Sequence, residues 1–436
     1  MGFVSLVVGA VALIHYYLWR RLVRATTAEG RTRRVLTWIL AGLGLLVPVT
    51  LIGSRSEWGH FLAWPGFFWI ALMFYLAVFL VLLEIPRALA LLALRRSGRH
   101  PVTARTALTV PALSATGSTT GTGSVGGPGS TAGVSVTDAD ADADATAGGG
   151  DGAGGGPEAI GRRLFIARTA AAAAGVGALA TVGTGIGTAL GDPVIESVRV
   201  TLPRLDPRLS GLRFAVVSDI HLGPLTGTAH AERIVRMVNS LQADVVAIVG
   251  DLVDGTLAEL GPLARPLRSL ESRYGSYFVT GNHEYYTANG PDEWIEELRH
   301  LGVRPLRNER VEIAHGGAVL DLAGVNDVTG GSAGDGPDYE RALGGRDRSR
   351  STVLLAHQPV QASRAAEYGV DLQLSGHTHG GQMVPFNLAV PLQQPVVSGL
   401  GEVDGTQVYV TRGAGFWGPP VRVGAPPEIT LLELRG

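Results

Sequence analysis

The sequence predicts an α/β domain preceded by membrane-spanning helices. Three observations predict it. Apolar runs occupy residues 3–19, 35–52 and 61–83. From residue 194 to 436, short strand-like apolar runs alternate with amphipathic helical ones. The turns after several of those strand-like runs carry His, Asp and Asn.

Composition supports the division. Of 436 residues, 46% are hydrophobic and only 17% charged, and the mean hydropathy is +0.22. A soluble domain is about a quarter charged, so part of this chain belongs in a membrane. The net charge of -2 gives no electrostatic argument for nucleic acid, and no nucleic-acid partner is expected. There is no cysteine, which excludes disulfides, thiolate metal sites and Cys nucleophiles. A bound metal would rest on His, Asp, Glu and Asn, a donor set suited to Mn, Fe, Zn or Mg.

Crossing a bilayer takes roughly 20 residues, and each of the three runs is near that length. The first could instead be a signal peptide, but no charge precedes it and no small-residue cleavage site comes after it. Arg20, Arg21, Arg24, Arg31, Arg33 and Arg34 lie between the first two runs, and Arg87, Arg95, Arg96 and Arg99 come after the third. The loop between the second and third carries only Arg55 and Glu57. By the positive-inside rule, 20–34 and the segment after Leu94 face the cytoplasm, and the N-terminus lies outside. Residues 1–100 are therefore expected to form a membrane region.

Residues 101–161 collapse to Gly, Ser, Thr, Ala and Asp and read as a disordered linker. Asp138, Asp140, Asp142 and Asp144 alternate with Ala but lack the Gly and distal Glu of a calcium loop. Residues 162–191 carry Arg162-Arg163, then Phe165, then a mild Ala/Gly-rich apolar run. This reads either as a fourth membrane helix or as a segment that resembles a twin-arginine export signal. Both put the segment from residue 194 onward on the outer side, and Ala189-Leu190-Gly191 would permit cleavage. An Ala-rich helix packed into a soluble domain is the plainer alternative.

The segment 194–436 has the size of one domain. Its strand-like runs are 213–218, 245–250, 277–280, 318–323, 352–356, 372–375 and 407–411. Between them, 230–241 sets Ile234, Met237, Val238 and Leu241 on one helical face. Gly290-Pro291-Asp292 opens another helix, with Trp294, Ile295 and Leu298 on its face. Such alternation predicts a sheet covered by helices on both sides, with ligands gathering beyond the strand ends.

Asp219-Ile220-His221 comes after the first of these runs, Gly250-Asp251 after the second and Gly281-Asn282-His283-Glu284 after the third. Ala356-His357 and Gly376-His377-Thr378-His379 come later. Asp219 and His221 are two apart, so an extended backbone would point both the same way. Asp251 has two oxygens with which to bridge two ions, and Asn282 offers an amide oxygen. Gly281 permits a tight turn, and Gly376, Gly380 and Gly381 free the His-x-His loop. Singly, each motif has a plainer reading as a turn, a cap or a structural histidine. Jointly they hold five of the eleven histidines: His221, His283, His357, His377 and His379.

In this order the motifs closely resemble those of the calcineurin-like metallophosphoesterases. The resemblance runs from Leu212 to Leu434, taking in Asn326-Asp327, the Arg412-Gly413-Ala414-Gly415 tail and Pro427-Glu428-Ile429. The longer match looks like the family's bacterial membrane-associated branch. It implies a β-sandwich flanked by helices (αββα). It implies two divalent metal ions: Asp219, His221 and His379 on the first, Asn282, His357 and His377 on the second, and Asp251 bridging. It implies that His283 is not a ligand but protonates the leaving group. Chemistry of this type attacks phosphorus with a metal-bridged hydroxide. Asp254 is either a partner that orients a ligand histidine or a turn residue. Glu284 receives no role, and His230, His300 and His315 read as structural or surface residues.

The expectation is a hydrolase of phosphate mono- or diesters. It would be a multi-pass protein of the cell membrane with its catalytic domain on the extracytoplasmic side. Membrane lipid is an expected partner, and lipid or cell-envelope phosphoesters are candidate substrates. Tyr285, Tyr286, Phe416 and Trp417 either line the pocket or pack the core. The alternative is a non-catalytic envelope receptor or scaffold on the same fold, against which the complete ligand set argues. A transporter role for the helices lacks an ion path, since His15 and Glu84 are their only ionisable residues.

Overall fold

The computed structural model describes residues 2–53, 61–97, 157–287 and 289–436. The expected linker lies outside the described residues as far as residue 156, and so does the loop bearing Arg55 and Glu57. Contacts divide the chain into two compact units, Met1–Ile85 with Ile166–Gly436, and Pro86–Phe165. Of the second unit, the described parts are helix ends.

The N-terminal part is helical: α1 (Gly2–Leu18), continuing as a π-helix Trp19–Arg24, α2 (Arg31–Gly53), α3 (Ala63–Ser97) and α4 (Pro157–Leu190). Among the described residues, three helices are long and apolar enough to cross a membrane: Arg31–Gly53, Ala63–Ala90 and Gly161–Leu190. Their apolar side chains also face outward; Trp38 and Ile52 are each 76% exposed. A helix apolar all round needs an apolar surrounding. Two polar pairs lie within this helical part. Trp69 Nε1 donates to His15 Nε2 at 3.3 Å, and Glu84 Oε1 meets Arg21 Nε at 2.6 Å.

The strands after these helices are β1 (Val194–Thr201), β2 (Arg213–Val217), β3 (Val245–Val249), β4 (Ser276–Val279), β5 (Val303–Pro305), β6 (Glu309–His315), β7 (Ala318–Gly324), β8 (Thr352–Leu355), β9 (Leu372–Ser375), β10 (Gly399–Val403), β11 (Thr406–Val410) and β12 (Glu428–Arg435). Among the described residues they form two six-stranded sheets, ordered β1-β12-β2-β3-β4-β5 and β10-β11-β9-β8-β7-β6. The centre of each is parallel: β2, β3, β4 and β5 in the first, β7, β8, β9 and β11 in the second. Strand alternation explains why two sheets form where the sequence pattern suggests one covered sheet. On β2, Phe214 and Val216 face the second sheet, meeting Leu322 of β7 and Leu355 of β8 in a common core.

The other face of β2, Ala215 and Val217, packs on helices α5 (Gly227–Ser240), α6 (Leu257–Ala264) and α7 (Asp292–His300) through Ile234, Leu260 and Trp294. The outer face of the second sheet packs on α8 (Tyr339–Leu343) and α9 (Ala362–Glu367) through Leu343 and Ala365. The result is the helix-flanked sandwich that the resemblance implies. Several strands are hard to see in the sequence because they sit at edges or carry many polar residues. Val311 and Ile313 of β6 do alternate with polar residues, which is a legible strand signal.

Candidate metal centre

Parallel strands point their C-terminal ends the same way, so the turns after β2, β3, β4, β8 and β9 open on one side. Those turns hold Asp219 and His221, Asp251, Asn282 and His283, His357, and His377 and His379 in turn. All eight sequence-predicted residues come together there. Asp219, His221 and His379 offer ligand atoms within 4.8 Å of one another, as do Asp251, His357 and His377. Asn282 Oδ1 joins the second group, 3.2 Å from His357 Nε2.

The backbone at these turns is unusual. Among the described residues, nine non-glycine residues have positive φ, and five of them are Asp219, His221, Asp251, His377 and His379. Left-handed backbone costs a side-chain-bearing residue about 1–3 kcal/mol and gathers at functional sites. It also corrects one expectation. Asp219 and His221 share a direction because of this left-handed turn, since β2 ends at Val217. The turns are locked together by main-chain bonds: Asp219 N–H donates to Gly250 O and His221 N–H to Asp251 O.

Glycine serves close approach here more than conformational freedom. Gly281 and Gly376 have ordinary φ, yet a methyl group on Gly281 would collide with Asp251 Oδ1, and one on Gly376 with Asp219 Oδ2. Gly380 and Gly381 do adopt positive φ.

The donor atoms fit cations. His357 Nδ1–H donates to Val249 O at 2.7 Å. Its Nε2 faces Asp251 Oδ2 at 3.2 Å and Asn282 Oδ1 at 3.2 Å. Asp251 outweighs burial and raises His357 well above its ordinary value, so Nε2 carries a proton that a cation at this point would displace. His221 likewise donates from Nδ1, to Asp254 Oδ1 at 2.8 Å, and its Nε2 lies 3.9 Å from both Asp219 Oδ1 and Asp251 Oδ2. Burial alone would raise both carboxyls, but the surrounding imidazoles outweigh it. His379 above all holds Asp219 well below the usual carboxylate range, and His357 does the same for Asp251. The oxygens are therefore ionised.

His379 is held differently. Arg422, fully buried, donates from Nη2 to His379 Nδ1 at 3.0 Å. The neutral ring then carries its proton on Nε2, between Asp219 Oδ1 at 3.2 Å and His221 Nε2 at 3.1 Å.

Three residues around the site were missed or left open by the sequence. Asp254 Oδ1 accepts from His221 and also from His283 Nδ1 at 2.7 Å, so it is an orienting residue and not merely a turn. Those two imidazoles outweigh its burial and hold it ionised. Asp251 and Asp254 in turn outweigh burial at His283 and raise it to about 9. Glu284 is buried beneath the Asp251 turn and accepts from the main-chain N–H groups of Gly281, Leu252 and Asp251, at 2.6, 2.8 and 3.1 Å. Burial, and then Asp251, push its carboxyl up to about 7. Its place directly after Asn282-His283 was the available signal. Arg422 stands alone between Val421 and Val423 and gave none. Among the histidines outside the motifs, His230 is buried with Nε2 3.3 Å from Ile220 O, a structural contact.

Comparison with known proteins gives a consistent picture. The family model for calcineurin-like phosphoesterases matches residues 212–381. The chain is 44% identical over 255 residues to a "Transmembrane protein with metallophosphoesterase domain" of Bos taurus, covering 56% of this chain and 57% of that one. It therefore spans little more than half the length of that relative. It is 34% identical to an uncharacterized metallophosphoesterase of Aquifex aeolicus, over 56% of this chain and 92% of that one. Among solved structures it is similar to a dimetal phosphatase from Danio rerio, with a TM-score of 0.32 and 12% identity, over 47% of this chain and 88% of that one.

Proposed function

Because the chain belongs to the calcineurin-like metallophosphoesterase family, we propose that it is a two-metal phosphoester hydrolase anchored in a membrane. The observation that carries this reading is the convergence of His357 Nε2, Asp251 Oδ2 and Asn282 Oδ1, set beside Asp219, His221 and His379. Asp219, His221 and His379 would hold one cation, Asn282, His357 and His377 another, and Asp251 both. Divalent ions, when bound, supply Lewis acidity toward the phosphate and an activated water. His283 holds a proton at the cavity: Asp254 fixes its Nδ1, which leaves Nε2 to serve the leaving oxygen. Water adds to phosphorus, the bond to the leaving oxygen breaks, and that oxygen takes the proton.

The domain reading is a membrane region at 1–100, a linker at 101–161, a fourth span or export signal at 162–191 and the hydrolase at 194–436. An outward-facing hydrolase is supported by the Arg-rich turn 20–34, which lies at the opposite end of α2 from Leu51, a neighbour of the catalytic cavity. If the twin-arginine reading holds, Arg162→Lys with Arg163→Lys strands the hydrolase inside the cell, as protease protection of spheroplasts reports. An unaltered outer-face domain removes that reading.

The decisive experiment is metal analysis of the purified full chain with hydrolysis of chromogenic mono- and diesters in manganese. Wild type should bind two ions and turn over, and Asp251→Ala should lose both properties. Metal bound without turnover of any ester would favour a binding protein on the same fold.

A further inference from the structure

The cavity that ends on the histidines is walled in part by the membrane-type helices. It measures about 530 Å³. Its polar lining includes His221, Asp254, Glu259 and His283. Its apolar lining includes Leu51 from the last turn of α2, with Phe67 and Ile70 from the start of α3. Phe416 and Trp417 line it as well. Trp417 is half exposed and its ring centroid lies 6.1 Å from that of His283.

A second observation concerns the segment just after the His-x-His loop. Met383 and Val423 pack into the cluster formed by α2, α3 and α4, and Val384 N–H donates to Val423 O at 3.0 Å. From that anchor the chain presents Phe386, Leu388 and Leu392 at 56%, 75% and 89% exposure. Large apolar side chains exposed beside membrane-type helices have the bilayer as their apolar solvent. Val421, Val423 and Met383 thus seat the hydrolase domain against the helices.

We propose that the site draws its phosphoester from the bilayer. The substrate is an amphiphile whose phosphate reaches His221 and His283 while its hydrocarbon chain lies along Leu51, Phe67 and Ile70. This rests on the phosphoesterase reading above and names its substrate class. A freely soluble phosphoester would leave the apolar wall in contact with water, and the geometry offers a hydrocarbon chain instead.

The test uses the full chain, manganese-loaded and held in amphipol so that neither phospholipid nor detergent chains compete. Methyl and dodecyl p-nitrophenyl phosphate share the scissile bond and differ in chain length. The dodecyl ester should show kcat/KM at least about tenfold higher, since each buried methylene favours binding. Leu51→Gln and Phe67→Ser should each shrink the dodecyl-to-methyl ratio severalfold. Calorimetric binding of dodecylphosphonate against methylphosphonate to the wild type gives the same comparison without a variant that has to fold. Hydrolysis of the methyl ester with no dodecyl preference, or a preference untouched by both substitutions, overturns the lipid proposal alone. Hydrolysis of neither diester, with p-nitrophenyl phosphate also left intact, overturns the phosphoesterase reading beneath it.

Discussion

Asp254 Oδ1 accepts the Nδ1–H of His283 at 2.7 Å. The same oxygen holds His221 at 2.8 Å, so one carboxylate orients both a metal-type imidazole and the one expected to serve the leaving group. Asp254→Asn keeps the shape and removes the charge. Activity should fall about 10–100-fold, the usual cost of losing such an orienting partner. Metal content and rate measured on one preparation check this, and Asp254→Glu should recover part of the rate. Unchanged kinetics in Asp254→Asn would reduce Asp254 to a turn residue.

His283 has a different expected signature. Its Nε2 lies 4.0 Å from Asp251 Oδ2, and it stands outside the two ligand-type groups centred on Asp219 and Asp251 while forming a third with His221 and Asp254. His283→Ala should keep both ions and lose about 10²–10⁴-fold in turnover. The loss should shrink for p-nitrophenolate, which leaves without a proton. A variant that loses its metals would make His283 a ligand.

Glu284 contributes to the fold of the site more than to its chemistry. Glu284→Gln puts an amide NH₂ where at least one of the main-chain N–H groups of Gly281, Leu252 and Asp251 now finds an oxygen. The expected cost is roughly 2–3 kcal/mol, that of a buried donor left unpaired beside a lost charged acceptor. Thermal unfolding of metal-free protein measures it. A midpoint within a degree of wild type would show that the Asp251 turn does not depend on this carboxylate.

His230 should make the domain acid-sensitive. Burial, and then the Arg233 charge, push its imidazole down to about 4. In the unfolded chain it returns to its ordinary 6.5, so between these values the unfolded state binds the extra proton. Its contribution is intact above about pH 6.5 and declines as pH falls toward 4, by roughly 3 kcal/mol in all. Thermal midpoints of metal-free protein from pH 7.5 to 4.5 should track that course, and His230→Gln should flatten it. An equally steep acid limb in the variant would place the sensitivity elsewhere.

Chemical identity and local geometry were readable from the order of residues alone. The apolar runs made α1, α2 and α3 legible as helices, because length and composition are local properties. The motif order picked out the eight candidate residues that the fold brings together, because each comes after a strand whose apolar run is local. Tertiary structure decided which atoms meet. Val249 O and His357 Nδ1 are 108 residues apart, and only the pairing of sheet layers tells which nitrogen of His357 faces Asp251. Arg422 on His379 and Glu284 under Asp251 are single charged side chains whose burial no pattern announces. The apolar wall of the cavity was equally invisible. Leu51 and Phe67 read as ordinary membrane-helix residues until the fold sets them beside His283, because burial and contact arise from packing between distant segments.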